Sequence, residues 1–487
     1  MATNRGICVF SGGTAANNLV DVFESVRKSK DCALSYIVPI SDNGGSSSEL
    51  IRVFGGPGIG DIRSRLVRLI PSHPGSVERS ALSALFNHRL SSTSSNEAEA
   101  EWQMIVAGTS ELWHAIPSAK KELIRSFFLL INLEVLKRSR PPISTFDFTS
   151  ASIGNLFLTG ARLFSGSFES AIYLLSSLCG IADDTIRVIP AINSNFSHHI
   201  AASLANGEVI VGQNSISHPS IATALGHLEG QAPSALRSRY SIGDSEMGIE
   251  DANLPGSLPT LRKRNIRFSK QQEEDLPARI ERISYINPYG QFMSPLANPR
   301  VIEAVRESQA IIYSIGSLYT SIIPSIVLRG VGQAIRTSMA RHKILILNGS
   351  IDRETGPTSN AFNAFDFVEA IARAGEESDT SSLDRSGELY APNGLSYSGL
   401  CRKYVTHVIY LVGENAPLVD RSQLSEAGID SVRLYGRKIE AADQDGRVVT
   451  KGMRYDDNAL IGAIETILGK KGDAMAMLKS RRNTLES

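Results

Sequence analysis

The amino-acid sequence predicts a doubly wound α/β fold of the Rossmann-like kind, with a mainly parallel sheet. Short apolar runs rich in β-branched residues alternate along the chain with amphipathic segments of helical length. Most of these runs are apolar almost without interruption, which is typical of strands buried on both faces of a parallel sheet. The regular alternation of strand and helix favours right-handed crossover connections.

The segments that carry this pattern are spread over the whole chain. The predicted strands are 6–10, 34–40, 187–192, 310–314, 343–348 and 404–412. The predicted helices include 19–27, 122–136 and 360–372. We therefore expect a single α/β domain over residues 1–487, decorated by helical and flexible insertions.

Three polar stretches interrupt the pattern, at residues 90–101, 234–276 and 373–396. They are rich in Ser, Gly or charged residues and offer little apolar area to bury, so we expect mobile surface insertions. The second stretch contains a basic cluster that begins at Arg262 and is followed by acidic residues from Glu273 onward. A solvated loop is the favoured interpretation of that cluster, and a contact with a phosphate or a partner is the alternative.

The bulk composition restricts the kind of ligand and the compartment. The 487 residues include 50 Lys+Arg and 50 Asp+Glu, so the formal net charge is zero and no basic excess points to nucleic acid. The four cysteines form no CxxC pair and are expected as buried thiols in a reducing compartment. No apolar run approaches the roughly 20 residues of a membrane span. We expect a cytoplasmic protein that binds a small molecule and contacts neither nucleic acid nor a membrane.

The first candidate loop directly follows the first predicted strand and contains Gly12, Gly13 and Thr14. In an open α/β sheet, ligands bind at the carboxyl ends of the strands, near a topological switch point. Glycine lets backbone N–H groups approach a phosphate closely, and the N-terminus of the next helix favours an anion. The loop is neither GxGxxG nor a Walker A motif. A phosphate site and a purely structural tight turn are therefore both open.

The second candidate loop follows the second predicted strand and contains Asp42, Asn43, Gly44, Gly45 and Ser46. The carboxylate of Asp42 suits Mg²⁺, a hard cation that prefers oxygen ligands and shares them with phosphates. The two glycines favour an anion-binding nest. A Ser-rich turn in which Asp42 caps a helix is the alternative. The position at a strand end favours the binding site.

Two predicted helix starts carry further candidates. Asp61 and Arg63 stand two residues apart at the first of them. Arg63 suits a bidentate phosphate contact, with a solvated surface arginine as the alternative. Asp61 suits either a metal site or a helix cap. Asn155, which follows Gly154 at the second helix start, offers both a donor and an acceptor, or acts as a cap.

Taken together and in this order, these segments resemble the 2-phospho-L-lactate transferase superfamily. The resemblance rests on GGT after the first strand, SDNGGSSSEL after the second, PGIGDIRSRL and SIGNLFLTG. Further matches favour the gluconeogenesis-factor branch and comprise residues 206–213, the loop 314–324, Glu354-Thr355-Gly356 and Phe365-Asp366. The sequence departs from the usual pattern of that branch at Ser314-Ile315-Gly316, Ser48-Glu49 and Asp366-Phe367.

The resemblance implies that several separate loops bind one phosphorylated ligand. Glycine N–H groups and Arg63 are expected to neutralise a pyrophosphate, with Gly316 and Ser317 of the later loop at the same site. Tyr319 is expected to stack on a base or sugar, and a core tyrosine is the alternative. The resemblance also implies a homodimer.

The two branches of the superfamily differ in function. Members of one transfer a phosphoester unit from a nucleoside-diphospho donor to an alcohol with Mg²⁺, whereas members of the other bind nucleotide-sugars and are regulatory. Asp42 and Asp61 are the candidate metal ligands and catalytic residues. Because the loop around Tyr319 matches the second branch better, we expect a regulatory protein that binds a nucleoside diphosphate or nucleotide-sugar. A transferase is the alternative.

A second alternative is an NAD(P)-dependent oxidoreductase, because such enzymes also begin with a strand, a glycine loop and a helix. The missing GxGxxG motif counts against it. Asn-Gly-Gly-Ser follows Asp42 and suits a phosphate loop better than a contact with ribose.

Overall fold

A seven-stranded parallel sheet forms the centre of the molecule. The computed structural model describes residues 5–13, 15–41, 44–71, 76–141, 145–182, 184–217, 275–287, 290–379, 397–442 and 448–469. The strands of the central sheet are β1 (Ile7–Phe10), β2 (Leu34–Val38), β3 (Ile186–Pro190), β8 (Ala310–Tyr313), β9 (His342–Ile346), β10 (His407–Leu411) and β11 (Asp430–Leu434).

The strand order reverses at β1. From β1 the chain runs through β2 to β3, then crosses to β8 on the other side of β1 and continues outward to β11. All pairings in this sheet are parallel. The doubly wound α/β fold that the sequence predicts is therefore confirmed. The carboxyl ends of β1, β2 and β8 meet at the switch point, where such folds bind ligands.

Helices connect the strands. The first half of the chain has α1 (Val20–Lys30), α2 (Gly45–Phe54), α3 (Gly60–Arg68), α4 (Val77–Asn87), α5 (Ser95–Ala107), α6 (Ser118–Arg138), α7 (Ile153–Ser165), α8 (Phe168–Cys179) and α9 (Gln213–Ser217). Later helices are Pro299–Glu307, Ile323–Ile326, Val331–Thr337, Ala364–Glu377, Tyr397–Tyr404, Arg421–Glu426 and Asp457–Leu468. Single 3-10 turns are Ala15–Leu19, Glu111–Trp113, Arg353–Thr355 and Thr358–Asn360, and Leu318–Ile322 is a π-helical turn.

The sequence predicts six of the seven strands of the central sheet and misses β11. Among the six, the clear difference is at residues 404–412. Tyr404 ends the helix Tyr397–Tyr404, and β10 begins only at His407. Tyr404 and Val405 are fully buried, so they continue the apolar run of the strand without belonging to it. A short apolar run does not by itself distinguish a buried helix end from a strand.

Two antiparallel units accompany the central sheet. β4 (His199–Leu204), β5 (Val209–Val211), β6 (Ile280–Ile286) and β7 (Phe292–Met293) form a four-stranded sheet of order β5-β4-β6-β7. The β4–β5 hairpin turns at Gly207, whose φ of +87° lies in the region that favours glycine. The second unit pairs β12 (Gly436–Ala442) with β13 (Val448–Tyr455).

The expectation for residues 90–101 is wrong in one respect, because this stretch buries apolar side chains. Most of it belongs to α5, which Ser94 caps by accepting a hydrogen bond from the Glu97 amide. Trp102, just beyond the stretch, is fully buried, and its Nε1 donates to Asn132 Oδ1 at 3.0 Å. Ala98, one turn earlier, is also fully buried. The stretch is polar on average, but its few apolar residues share one helical face.

The other expected insertions are only partly described. Residues 373–377 complete the helix Ala364–Glu377, contrary to the expected flexible segment, while 380–396 lie outside the described residues. The stretch 234–276 lies outside them as well, apart from its last two residues. All four cysteines are free and buried, as expected. Within the described part of the chain, no helix is long and apolar enough to cross a membrane.

Burial of His199 generates a prediction about stability and pH. The side chain is 1% exposed and neither ring nitrogen has a hydrogen-bond partner, so desolvation lowers the pKa of His199 to about 4. Because the folded state holds the neutral ring, this contribution to stability is complete above the unfolded pKa and is lost as the pH falls towards 4. Wild type should therefore lose stability relative to His199→Leu by up to about 1.4 kcal/mol per pH unit in that window.

Denaturant titrations between pH 7 and pH 4.5 measure this difference. The neighbouring His198 is present in both proteins and its charge also lowers the pKa of His199, so the difference measures His199 together with its coupling to His198. His114→Leu, at an exposed position, is the control variant. A gap between wild type and His199→Leu that stays constant over the range would contradict the prediction.

Candidate functional site

The loops that follow β1, β2 and β8 meet at one cleft with a volume of about 300 Å³. Its lining also includes residues from α3, α7 and α9. The described lining residues are all glycine or polar: Gly13, Gly44, Gly45, Ser46, Ser47, Gly60, Asp61, Arg63, Ser64, Arg89, Asn155, Gln213, Asn214, Ser217, Ser317, Thr320 and Ser321. Most of the described candidate residues from the sequence are therefore brought together, and their binding roles stay predictions.

Three loops approach one another most closely around Gly12. A Cβ added at Gly12 would lie 3.1 Å from Asp61 Oδ2 and 3.2 Å from Ser321 Oγ. Any side chain at this position would therefore press on both of these groups. Gly12 has a packing reason to be glycine, and the next residue, Gly13, has a φ of +54° that favours glycine.

The N-terminus of α2 opens into the cleft. Gly44 is the N-cap and is extended, whereas Gly45 begins the helix with a φ of +53°. Ser46 and Ser47 follow in the first turn and line the cleft. The dipole at a helix N-terminus favours an anion. The Ser47 amide also donates to the carbonyl of the N-cap Gly44 at 3.2 Å.

Arg63 is part of the cleft wall and is not a solvated surface arginine. Its side chain is 8% exposed, and its guanidinium donates to Asn155 Oδ1 at 3.3 Å and to Asn87 Oδ1 at 3.4 Å. Asn155 in turn donates from Nδ2 to the Ser46 hydroxyl at 3.1 Å. Asn155 therefore connects α2, α3 and α7, and it does not cap its helix, which begins after Ser152.

Among the described residues that line the cleft, Asp61 is the only one with a carboxylate side chain. It is the second residue of α3, and the N-cap is Ile59, so the interpretation of Asp61 as a helix cap is wrong. Arg89 adds a second guanidinium, which sequence reasoning missed. It is an exposed residue whose Nη1 donates to the Ser150 carbonyl at 3.2 Å. Its position depends on an isolated β-bridge to Ser152. This contact joins segments that are far apart in the sequence, so no local sequence pattern predicts it.

The loop after β8 reaches the cleft through Ser317, Thr320 and Ser321. Gly316 is held by a pair of bonds with Asn348: its N–H donates to Asn348 Oδ1 at 2.9 Å and its carbonyl accepts from Asn348 Nδ2 at 2.9 Å. Gly316 itself has a φ of +142°. The π-helical turn then follows directly. Gly316 therefore shapes this loop, and Ser317 is the predicted residue that lines the cleft.

Tyr319 is buried and does not line the cleft, so it is not positioned to stack on a ligand there. Its side chain is 3% exposed, its hydroxyl donates to the Ile280 carbonyl at 2.9 Å, and its ring meets Phe362 edge to face. Burial raises the pKa of the phenol. In the π-helical turn the side chains of Leu318 and Tyr319 lie in the core, while those of residues 317, 320 and 321 reach the cleft. The core alternative holds, and the stacking prediction is wrong.

Helix α9 supplies Gln213, Asn214 and Ser217, which were not predicted as site residues. A signal existed, since residues 206–213 belong to the segments on which the family resemblance rests. Gln213 ends that motif and begins the helix. Thr14, Asp42 and Asn43 lie outside the described residues, and their roles stay predictions from the sequence.

One departure from the expected family pattern has a structural explanation. Glu49 is buried and accepts hydrogen bonds from Arg52 Nε at 2.7 Å and from the Asp147 amide at 2.8 Å. Arg52 also donates to the Thr145 carbonyl at 2.8 Å. Glu49 therefore joins α2 to the segment before α7, and it does not line the cleft.

The fold and the cleft define a doubly wound α/β protein with a polar cleft at its switch point. The chain belongs to the family of 2-phospho-L-lactate transferase CofD, whose family model matches residues 7–427. The resemblance stated from the sequence motifs is therefore confirmed.

Relatives of known sequence and structure agree with this assignment. An uncharacterized protein of Saccharomyces cerevisiae is 40% identical over 379 residues, which cover 76% of this chain and 83% of that protein. A putative gluconeogenesis factor of Clostridium acetobutylicum is 25% identical over 66% of this chain and 52% of its own length. The gluconeogenesis factor of Halalkalibacterium halodurans is 22% identical, covering 75% and 73%. The crystal structure of a UPF0052 family member from Bacillus halodurans has the same fold, with a TM-score of 0.53 and 18% identity over 94% of this chain and 99% of its own.

The packing of Gly154 generates a prediction about the wall that contains Arg63. A Cβ at Gly154 would lie 2.6 Å from the Phe86 carbonyl oxygen and 2.8 Å from Arg63 Cγ and Cδ. Gly154→Ala should therefore displace Arg63 and lower the free energy of unfolding by about 1–3 kcal/mol.

Gly462 in the helix Asp457–Leu468 is the matched control, because a Cβ there meets nothing within 4 Å. Gly462→Ala should raise the free energy of unfolding by about 0.5–1 kcal/mol. Urea titrations of the three proteins measure both effects. Equal stability of Gly154→Ala and wild type would show that the close contacts are relieved without cost.

Proposed function

We propose that the cleft binds a nucleoside diphosphate or nucleotide-sugar, and that the protein acts as a regulatory binding protein of the gluconeogenesis-factor type. The observation that carries this proposal is the meeting of the α2 N-terminus and Arg63 in one polar cleft at the switch point. Oriented amides and a guanidinium are suited to a diphosphate, which offers several acceptor oxygens. The relatives named as gluconeogenesis factors support the regulatory part of the proposal.

The rest of the lining suits the uncharged part of such a ligand. We define the neutral wall as Gln213, Asn214, Ser217, Ser317, Thr320 and Ser321, all of which line the cleft. Hydroxyl and side-chain amide groups both donate and accept hydrogen bonds. Sugar hydroxyls need partners of both kinds when they leave water. A nucleotide-sugar or the ribose of a nucleotide therefore fits this wall.

The second candidate function is Mg²⁺-dependent transfer of a phosphoester unit to an alcohol. It is supported by the family name and by the Asp61 carboxylate in the cleft. No group of three His, Cys, Asp or Glu side chains among the described residues could by itself hold a metal. Mg²⁺ is commonly held by one or two carboxylates together with substrate phosphates and water, so Asp61 fits such a site. Bound Mg²⁺ would neutralise charge on the phosphates.

In that reaction, the acceptor hydroxyl oxygen would form a bond to phosphorus while the bond to the nucleoside monophosphate breaks. The proton of the hydroxyl would pass to a carboxylate base. Asp61 and, from its place in the sequence, Asp42 are the candidates. The remaining cleft groups would position the two reactants and stabilise charge, which is most of what phosphoryl transfer requires.

Binding is predicted to depend on Arg63. Isothermal titration calorimetry with a panel of nucleoside diphosphates and nucleotide-sugars should show micromolar binding to wild type, strengthened by Mg²⁺. Arg63→Ala should weaken it about 10- to 100-fold, because hydrogen bonds to charged groups contribute roughly 1.5–3 kcal/mol.

Arg68→Ala is the matched control, since Arg68 lies on the same helix and pairs with Asp21 at the surface. Its affinity should equal that of wild type. Absence of heat from every ligand of the panel at millimolar concentration would overturn the binding proposal.

Turnover separates the two candidate functions. Wild type and Asp61→Asn are incubated with nucleoside-diphospho donors, Mg²⁺ and a panel of small alcohols, and released nucleoside monophosphate is quantified. For a regulatory protein neither variant should release it, and Asp61→Asn should change only the affinity. Steady release by wild type that Asp61→Asn abolishes would instead establish the transferase, because an amide is a poor Mg²⁺ ligand and no base.

A further inference from the structure

A short buried turn behind the cleft contacts both elements that form the neutral wall. This turn, Asp352–Thr355, does not line the cleft itself. It is locked by a reciprocal pair of bonds: Asp352 Oδ1 accepts from the Thr355 amide at 3.1 Å, and Thr355 Oγ1 accepts from the Asp352 amide at 3.1 Å. Such a capping box fixes the direction of the side chains between its two ends.

Glu354 points from this turn to the loop after β8. Its side chain is 1% exposed, and Oε2 accepts from the Tyr319 amide at 2.9 Å and the Thr320 amide at 3.0 Å. Its Oε1 lies 2.6 Å from Thr320 Oγ1. Glu354 thus holds the π-helical turn that presents residues 317, 320 and 321 to the cleft.

Arg353, between the two acids, points to the other element of the neutral wall. Its Nε donates to the carbonyl of Ile216 at 3.2 Å, within α9. A helix of five residues has little stability of its own, because helix nucleation is unfavourable, so its position depends on tertiary contacts of this kind. One turn therefore sets the relative placement of α9 and the loop after β8.

We propose that the Asp352–Thr355 turn is the positioning element of the neutral wall, and that Glu354 is a positioning residue that determines selectivity for the uncharged, hydroxyl-bearing part of the ligand. This inference rests on the proposed function. The groups proposed to bind the phosphates, Arg63 and the first turn of α2, belong to other elements of the fold. Loss of the Glu354 side chain should therefore weaken binding of the uncharged part of the ligand and leave binding of its phosphates unchanged.

The chemistry of Glu354 suggests a conservative variant. Burial, together with the carboxylate of Asp352, raises the pKa of Glu354 to about 8, which favours a neutral carboxyl group at pH 7. Its Oε2 accepts from the two amides, and its Oε1 accepts from the Thr320 hydroxyl. Glutamine has the same shape, with an oxygen to accept both amides and an NH₂ group to donate to Thr320.

The experiment compares the affinity of each variant for inorganic pyrophosphate and for the nucleotide-sugar that binds wild type most tightly. Glu354→Ala should weaken binding of the nucleotide-sugar at least tenfold and change binding of pyrophosphate less than twofold. Glu354→Gln should restore both affinities to within about twofold of wild type. Glu376→Ala is the control, because Glu376 is a partly buried acceptor for Tyr404 and Arg336 outside the cleft. It should leave both affinities unchanged.

A parallel loss of both affinities in Glu354→Ala, or no loss of either, would overturn the inference while leaving the proposed function intact. If wild type binds neither pyrophosphate nor any nucleotide-sugar, the proposed function is overturned, and the inference with it. If Glu354→Ala does not fold, Arg353→Met replaces it, because it releases α9 and leaves Glu354 in place. Selective loss of nucleotide-sugar affinity in Arg353→Met supports the inference, and unchanged selectivity contradicts it.

Discussion

The double pairing of β1 is the constraint on which the cleft depends. β1 bonds to β2 on one side and to β8 on the other, and it is completely buried. Because all three strands are parallel, their carboxyl ends lie side by side. The three loops that follow these strands are therefore neighbours at the same edge of the sheet. Arg65 fixes the first of these loops: its buried guanidinium donates to the Ala16 carbonyl and the Ser11 hydroxyl and lies 4.5 Å from the centre of the Tyr36 ring.

Close approach between these segments depends on positions where an added side chain would make tight contacts. Gly12 brings the loop after β1 against Asp61 and Ser321, and Gly154 lets α7 pack on the stem of Arg63. The glycines therefore act in two ways. Some accept a positive φ, as Gly45 does, and others, such as Gly12 and Gly154, leave room for side chains of neighbouring segments to pack closely against the backbone. The second role is a packing property that a list of glycine-rich motifs does not reveal.

The sequence predicted six of the seven strands of the central sheet and the glycine, serine and arginine residues at the strand ends that line the cleft, because both depend on local patterns. Apolar runs mark buried strands, and glycine or serine loops at strand ends mark the switch point. Tyr319 and Arg89 show where this reasoning fails. The direction of Tyr319 is set by a π-helical turn whose amides bond to the distant Glu354. The position of Arg89 is set by a bridge to Ser152. Contacts between residues far apart in the sequence determine the positions of both side chains. A local sequence pattern cannot predict such contacts.

The connection between the two halves of the sheet brings helix α9 to the cleft. After β3 the chain must cross from one side of β1 to β8 on the other, and this crossing passes the switch point. The antiparallel sheet β4–β7 and helix α9 both belong to the segment of the chain that makes this crossing. The first turn of α2 and the loop after β8 follow strands of the central sheet directly, as in every doubly wound sheet, and Arg63 lies on the next helix, α3, whereas α9 comes from an elaboration of this one crossing. Changes in the crossing can therefore alter the neutral wall without disturbing the strands that hold the loops around Arg63.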